Sequence, residues 1–232
     1  MDSENRMRAR RFLIPLALAL FAARCSDQVG PRIVDQQPAA QTLHFLQWAG
    51  STPPRFTASG ALSGRGGQRV RLASPSRLSL GRYTASFWAL RGEARSIQIN
   101  YLSSTGDTSA PFLQFTSDDP AYVPGVGDLA PGDSVLITVT IDPIELKVSL
   151  EPTGLVFGNP AQLQIWYSGA DGDLNGDGVV DDTDAAIEAQ LLGLWYREGP
   201  ADQWTEIAAV HSLVDKSFTS ALAHFCEYAV SY

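Results

Sequence analysis

The sequence predicts an all-β protein, an antiparallel β-sandwich with one short helix that follows an acidic loop. The first observation is a two-residue period of apolar side chains in several short segments, which is typical of strands with one buried face. The second is a turn signal rich in Pro, Gly and Asp between these segments. The third is that only residues 183–192 have a helical pattern. Many short strands separated by turns favour a sandwich.

Four segments carry the alternation most clearly. Their apolar positions are Ile97, Ile99 and Tyr101; Val135, Ile137, Val139 and Ile141; Leu146, Val148 and Leu150; and Leu163, Ile165 and Tyr167. Turns are expected at 104–107, 131–133, 142–143, 152–154 and 158–160. The order in which the strands pair stays open.

Composition and charge narrow the class of function. The 232 residues are 44% hydrophobic and 18% charged, as in globular proteins that bury a core. The formal charge is -8, and residues 1–24 hold five Arg against two acidic residues, so the rest of the chain carries -11. We expect no nucleic-acid partner, because binding phosphates requires Lys and Arg. Cys25 and Cys226 are too few for a disulfide scaffold or a four-ligand zinc site.

The amino-terminal segment has the features of a secretory signal. Arg residues precede a twelve-residue apolar run at 12–23, which is too short to span a bilayer as a helix. We divide the chain into a signal peptide (1–24), a flexible tether (25–41), an amino-terminal β-rich region (42–142) and a carboxy-terminal sandwich (143–232) that carries an insertion at 171–192. Whether the two β-rich regions form one domain or two stays open.

Cys25 follows small residues and resembles the lipid-modified cysteine of bacterial lipoproteins. The resemblance implies a membrane tether through a lipid on Cys25, although Arg24 stands where lipoproteins carry a small residue. The alternative is simple secretion after cleavage near Ala22 or Ala23. Both alternatives predict an exported protein, either at the cell envelope or secreted.

Residues 173–184 form an acidic loop with the spacing of a calcium-binding loop. The predicted ligands, at loop positions 1, 3, 5, 7, 9 and 12, are Asp173, Asn175, Asp177, the backbone carbonyl of Val179, Asp181 and Asp184. Gly178 at position 6 permits the sharp turn, and Val180 is expected to point into the core. The alternative is a solvated turn without metal. Calcium is favoured, because the six Asp residues in 171–184 would otherwise repel one another.

This loop resembles a dockerin repeat, and more loosely an EF-hand. A strand-like segment precedes it in place of a helix, and position 12 is Asp184 where an EF-hand has Glu. Dockerins carry two such repeats and this chain has one, so cohesin binding is not expected from it. We expect calcium to be structural here.

Residues from about 150 to 232 resemble the ZU-five family of β-sandwich domains. The resemblance is carried by alternating residues in 160–167, an aromatic strand at 191–198, a Trp strand at 202–207 and the closing segment His224-Phe225-Cys226 with Tyr228-Ala229. It implies a sandwich in which the acidic loop is an insertion between two strands.

The closing segment also resembles a self-cleavage motif found in relatives of that family. The resemblance implies that Cys226 attacks the preceding carbonyl carbon and that His224 takes its proton, although the family motif has Ser at the position of Cys226. A buried structural thiol is the alternative that we favour.

The expected function is therefore non-catalytic binding. The chain contains no nucleophile elbow, dinucleotide fingerprint, phosphate loop or zinc-protease motif. We expect a calcium-binding protein of the bacterial cell envelope that binds a protein partner or acts as a scaffold. The alternatives are self-cleavage by His224 and Cys226, and a secreted carbohydrate-active accessory protein that would use exposed aromatic side chains.

Overall fold

A computed structural model describes residues 42–50, 54–62, 82–102 and 109–232. The predicted signal peptide, the tether with Cys25 and the turn expected at 104–107 lie outside these residues. None of the described residues belongs to a helix with the length and apolar character that a membrane span requires.

The described residues form fourteen strands and one helix. The strands are β1 (Arg55–Leu62), β2 (Tyr83–Leu90), β3 (Arg95–Leu102), β4 (Ser109–Ser117), β5 (Pro120–Val123), β6 (Gly127–Asp128), β7 (Ser134–Ile141), β8 (Lys147–Glu151), β9 (Val156–Trp166), β10 (Gly193–Arg197), β11 (Thr205–Glu206), β12 (Val210–Ser212), β13 (Ser217–His224) and β14 (Glu227–Ser231). The helix α1 spans Asp182–Gln190, between β9 and β10.

The strands pair in antiparallel fashion into two packed sheets, which confirms the predicted fold class. Sheet 1 has the order β1-β3-β4-β9-β13-β12, with β5 joined to β9 and β6 joined to β5. Sheet 2 has the order β11-β10-β14-β8-β7-β2. Consecutive strands often lie in different sheets, as β13 and β14 do.

The alternating segments form the strands that their period predicted. In β7 the register with β2 pairs Ile137 with Phe87, and both side chains are fully buried. The same holds for Ile97 and Ile99 in β3, which face the core while their neighbours remain half-buried. Burying one face of each sheet against the other removes these apolar side chains from water, which is the main favourable term for this architecture.

Four phenylalanines from different parts of the chain meet between the sheets. Phe115 lies 6.1 Å from Phe87, 6.1 Å from Phe157 and 5.2 Å from Phe225, measured between ring centroids. Tilted and edge-on contacts of this kind add to the stabilisation from burial. Phe225 occupies the short connection between β13 and β14, so the chain crosses from sheet 1 to sheet 2 through the core.

The two β-rich regions form one sandwich. Sheet 2 joins β2 and β7, from the amino-terminal region, to β8, β14 and β10. The described residues between 42 and 232 accordingly form a single compact unit. The sequence left open whether the regions on either side of residue 142 form one domain or two. The pairing of β7 with β8 joins them into one.

The turn predicted at 158–160 is wrong, because β9 continues through these residues. The backbone N–H of Gly158 donates to the Asp119 carbonyl at 2.9 Å. A Cβ atom at Gly158 would lie 2.1 Å from the Asp119 carboxylate, so a larger residue would force this side chain, which is paired with Arg91, to move. The pairing of β9 with β13 shifts register nearby, between Leu222 and His224. Pro160, which has no backbone N–H to donate, is tolerated at this irregularity.

Candidate metal centre

The acidic loop lies between a strand of sheet 1 and a strand of sheet 2. It follows β9 and leads directly into α1, which begins at Asp182, one residue earlier than predicted, and ends at Gln190. An acidic first turn suits the positive end of a helix dipole. The loop and helix therefore connect β9 of sheet 1 to β10 of sheet 2.

The first half of the loop is organised by backbone N–H groups that donate to side-chain oxygens. Asp173 accepts from Gly176 at 2.8 Å, from Asp177 at 3.1 Å and from Gly178 at 2.7 Å. Asn175 Oδ1 accepts from Asp177 at 2.9 Å, and Asp177 Oδ1 accepts from Val179 at 2.9 Å. These contacts curl the chain around the side chains at positions 1, 3 and 5.

Two glycines make this curl possible. Gly176 has a φ of 76° and Gly178 a φ of 87°, in the left-handed region that side chains with a Cβ rarely adopt. Gly178 thus has the conformation that position 6 of the predicted calcium loop requires.

The second half of the loop is closed by a reciprocal cap on α1. Asp181 is the N-cap residue and accepts from the N–H of Thr183 at 2.7 Å, while Asp184 accepts from the N–H of Asp181 at 2.9 Å. This arrangement is a capping box, with Asp184 in the place usually taken by Glu or Gln. The residues at positions 9 and 12 are therefore held in place by the helix that they begin.

Asp184 joins the two halves of the loop. Its side chain is buried, with 3% exposed, and Oδ1 accepts from the N–H groups of Leu174 at 2.7 Å and Asn175 at 3.1 Å. The hydrogen bond from the N–H of Asp181, with those from Asn175 and Leu174, lowers the pKa of Asp184 despite its burial. The carboxylate is therefore in its charged form at neutral pH, as a calcium ligand must be.

The expectation that Val180 points into the core is wrong. Its side chain is 70% exposed, and it lies against Gly172 outside the sheets. Residues 175–183 are all exposed, so this whole stretch of the loop lies outside the core. Val180 therefore has no buried apolar surface to pack against.

The six predicted ligands offer a donor set of oxygens only. Four are carboxylates, one is the Asn175 amide and one is the Val179 carbonyl, which suits a hard cation such as calcium better than zinc or copper. In the described part of the chain, however, no three His, Cys, Asp or Glu side chains converge as a metal site. The carboxylates instead accept hydrogen bonds from the loop backbone.

Several contacts that the sequence did not predict attach the loop and helix to the sandwich. The Tyr232 hydroxyl donates to the Leu174 carbonyl, and the N–H of Asp171 donates to the Gln47 carbonyl at 3.0 Å. From α1, Glu188 forms an ion pair with Lys216, with 3.0 Å between Oε1 and Nζ. No signal in the sequence relates these residues, because each contact joins distant parts of the chain.

Glu188 also lies close to Tyr167, which is buried, and His211, which is half-buried. The Tyr167 hydroxyl lies 2.7 Å from Nε2 of His211, whose ring stacks on Phe218 with 4.2 Å between centroids. Burial, and then the Glu188 carboxylate, raise the pKa of Tyr167, while burial lowers the pKa of His211. The α1 helix therefore lies against two polar side chains, Tyr167 and His211, that are uncharged at neutral pH.

The residues of the self-cleavage alternative do not form a nucleophile and base pair. Cys226 is buried, with 3% exposed, and burial raises its pKa to about 12. His224 Nε2 lies 3.5 Å from Glu198 Oε1, and its backbone carbonyl accepts from the Tyr228 hydroxyl at 3.0 Å. A thiol with such a high pKa is a poor nucleophile near neutral pH, so these contacts disfavour the reaction.

The aromatic platform of the carbohydrate alternative receives little support. Trp88 and Tyr122 are exposed, but Trp88 lies on β2 in sheet 2 and Tyr122 on β5 in sheet 1. Most of the other described aromatic side chains pack in or against the core, as expected if their role is cross-strand packing.

No family model, curated protein or solved structure matches the chain.

Proposed function

We propose that the chain is a calcium-binding β-sandwich protein of the bacterial cell envelope that binds a protein partner or acts as a scaffold. The observation that carries the proposal is the conformation of the acidic loop. Asp173, Asn175 and Asp177 curl the backbone around themselves, and Asp181 and Asp184 are fixed by the capping box.

Calcium would supply the positive charge that offsets repulsion among the acidic side chains of the loop. The six predicted ligands, from Asp173 to Asp184, would hold it. A structural role is favoured over a catalytic one, because the six predicted oxygen ligands would leave few positions on the ion for a substrate. The hydrogen bonds that attach the loop to the sandwich would then keep α1 in place.

The proposed location rests on the amino-terminal sequence. The basic segment, the apolar run at 12–23 and Cys25 support export, with a lipid on Cys25 as the tether or with release by cleavage before it. The partner is proposed to be a protein, because the acidic chain is unsuited to nucleic acid and the buried thiol is unsuited to catalysis.

Intact-mass spectrometry of the protein made in a lipoprotein-competent bacterial host tests the proposal. Under native conditions with calcium, we expect one calcium adduct that disappears on chelation. Under denaturing conditions, we expect a whole chain that begins at or near Cys25, with or without the mass of a lipid. The absence of a calcium adduct would contradict the proposal, and the loss of residues 226–232 would favour self-cleavage.

A further inference from the structure

A cleft of about 460 Å³ lies beside the acidic loop. Its walls are the segment 43–47, the start of the loop and the ring of Tyr232. The segment 43–47 is held against the sandwich by the N–H of Leu46, which donates to the Val230 carbonyl at 3.0 Å. The cleft is thus formed by parts of the chain that the fold fixes in place.

One wall of the cleft carries a pair of aromatic rings. The rings of His44 and Tyr232 stack, with 5.2 Å between centroids and 16° between planes. His44 is exposed and Tyr232 is half-buried, so part of the stacked pair remains open to a ligand. A planar cation binds favourably to the face of such a ring.

The charged side chains that line the cleft are all acidic among the described residues: Glu145, Asp171 and Asp173. Glu145 forms an ion pair with Lys147, and both oxygens of Asp173 accept hydrogen bonds from the loop backbone. Asp171 is exposed, and its Oδ1 accepts a single hydrogen bond, from the N–H of Asp173 at 3.2 Å. Among the described residues, Oδ2 of Asp171 has no hydrogen-bond partner, so this carboxylate is free to bind a ligand.

We propose that this cleft binds a guanidinium group, with Asp171 as its carboxylate partner and the stacked rings of His44 and Tyr232 as its aromatic wall. A guanidinium is planar, so it can lie on the outer face of one ring of the stacked pair while its edge donates two hydrogen bonds to one carboxylate. An ammonium group lacks this flat shape and is expected to bind less well. The inference deepens the proposed binding function and rests on it for the nature of the partner, which would present an arginine side chain.

The site lies next to the calcium loop but does not depend on a calcium ligand for its main charge. Asp171 precedes the twelve-residue loop, so a substitution there leaves all six predicted ligands in place. Binding of calcium and binding of guanidinium can therefore be measured separately in one protein.

NMR titration of the calcium-loaded protein with N-acetyl-arginine amide tests the assignment. We expect saturable shifts of the His44 and Tyr232 ring signals, and weaker binding of N-acetyl-lysine amide, which has the same charge. Asp171→Asn should weaken arginine binding about 10-fold, the loss expected when the charged partner of a hydrogen bond is neutralised. Asp128→Asn, a control on an exposed carboxylate of β6, should change it less than about 2-fold.

The outcomes separate this inference from the proposed calcium function. Absence of saturable shifts, or equal affinity in the wild-type protein and Asp171→Asn, would overturn the inference even if native mass spectrometry finds calcium bound. Arginine binding that depends on Asp171 in a protein without a calcium adduct would uphold the cleft and contradict the calcium proposal. An arginine-containing peptide that binds more tightly than the single blocked residue would indicate a polypeptide source, and equal affinities would indicate a small guanidinium ligand.

Discussion

The hydroxyl of Tyr232 donates a hydrogen bond to the backbone carbonyl of Leu174, so the residue that follows β14 is joined to the second position of the acidic loop. The same ring stacks on His44. Burial raises the pKa of the Tyr232 hydroxyl, and the negative charges of Asp184 and Asp173 raise it further. The residue after β14, the segment before β1 and the proposed metal site therefore meet at one side chain.

Tyr232→Phe should loosen the acidic loop without unfolding the sandwich. The substitution keeps the stacked ring and removes one hydrogen bond, which typically contributes about 0.5–1.5 kcal/mol. Hydrogen exchange should become faster in 173–184 and remain unchanged in β7 and β9. Tyr122→Phe, on an exposed side chain of β5, is the matched control and should have no effect in either region.

Asp177→Asn should weaken calcium binding, whereas Asp182→Asn should not. Asp177 stands at position 5 of the loop, while Asp182 stands at position 10, is exposed and is not a predicted ligand. Asparagine keeps a side-chain oxygen, as Asn175 does, but removes one of the four negative charges of the predicted ligands, so the affinity for calcium should fall by roughly 10-fold. Isothermal titration calorimetry of both variants provides the measurement, and equal losses would indicate a general effect of charge.

Chelation of calcium should increase hydrogen exchange in residues 171–192 first. The residues in 175–183 are all exposed, and α1 buries only Asp184 fully, so little apolar packing would hold this segment without the metal. The core strands, with fully buried side chains such as Ile137 and Ile165, should keep their protection. Unchanged exchange in 171–192, in a protein known to have lost its calcium, would show that the metal does not stabilise the loop.

Phe115→Ala should be among the most destabilising substitutions in the chain. The side chain is fully buried and contacts three other phenylalanines, so its removal leaves a cavity that the two sheets cannot readily close. The expected loss is about 3–5 kcal/mol in the free energy of unfolding. Trp88→Ala removes a larger ring that is 48% exposed, and urea denaturation should show a smaller loss for it.

Cys226 should resist alkylation in the folded protein at pH 8. Burial raises its pKa from 9.0 to about 12, so the thiolate that reacts is scarce at this pH. Since the folded state holds this proton more tightly, the thiol's contribution to stability is present below pH 9 and is lost as the pH rises toward about 12. Peptide mapping after iodoacetamide treatment distinguishes Cys226 from Cys25, and rapid labelling of native Cys226 would contradict the burial.

The strands and the loop could be predicted because their signals are local. Alternation in segments such as Ser134–Ile141 reflects a backbone that points successive side chains to opposite faces, and this holds whatever the strand pairs with. The spacing of Asp173, Asn175 and Asp177 around Gly178 likewise reflects a single turn of chain. The sequence by itself determined the all-β class, the acidic loop and the helix after it.

Only the tertiary structure decided how these parts combine. The merging of two β-rich regions into one sandwich, the continuation of β9 through Pro160 and the exposure of Val180 depend on neighbours far away along the chain. The same is true of the cleft formed by His44, Asp171 and Tyr232. Packing and hydrogen bonding between distant segments arise from the paths that the strands take in three dimensions, and local periodicity carries no information about those paths.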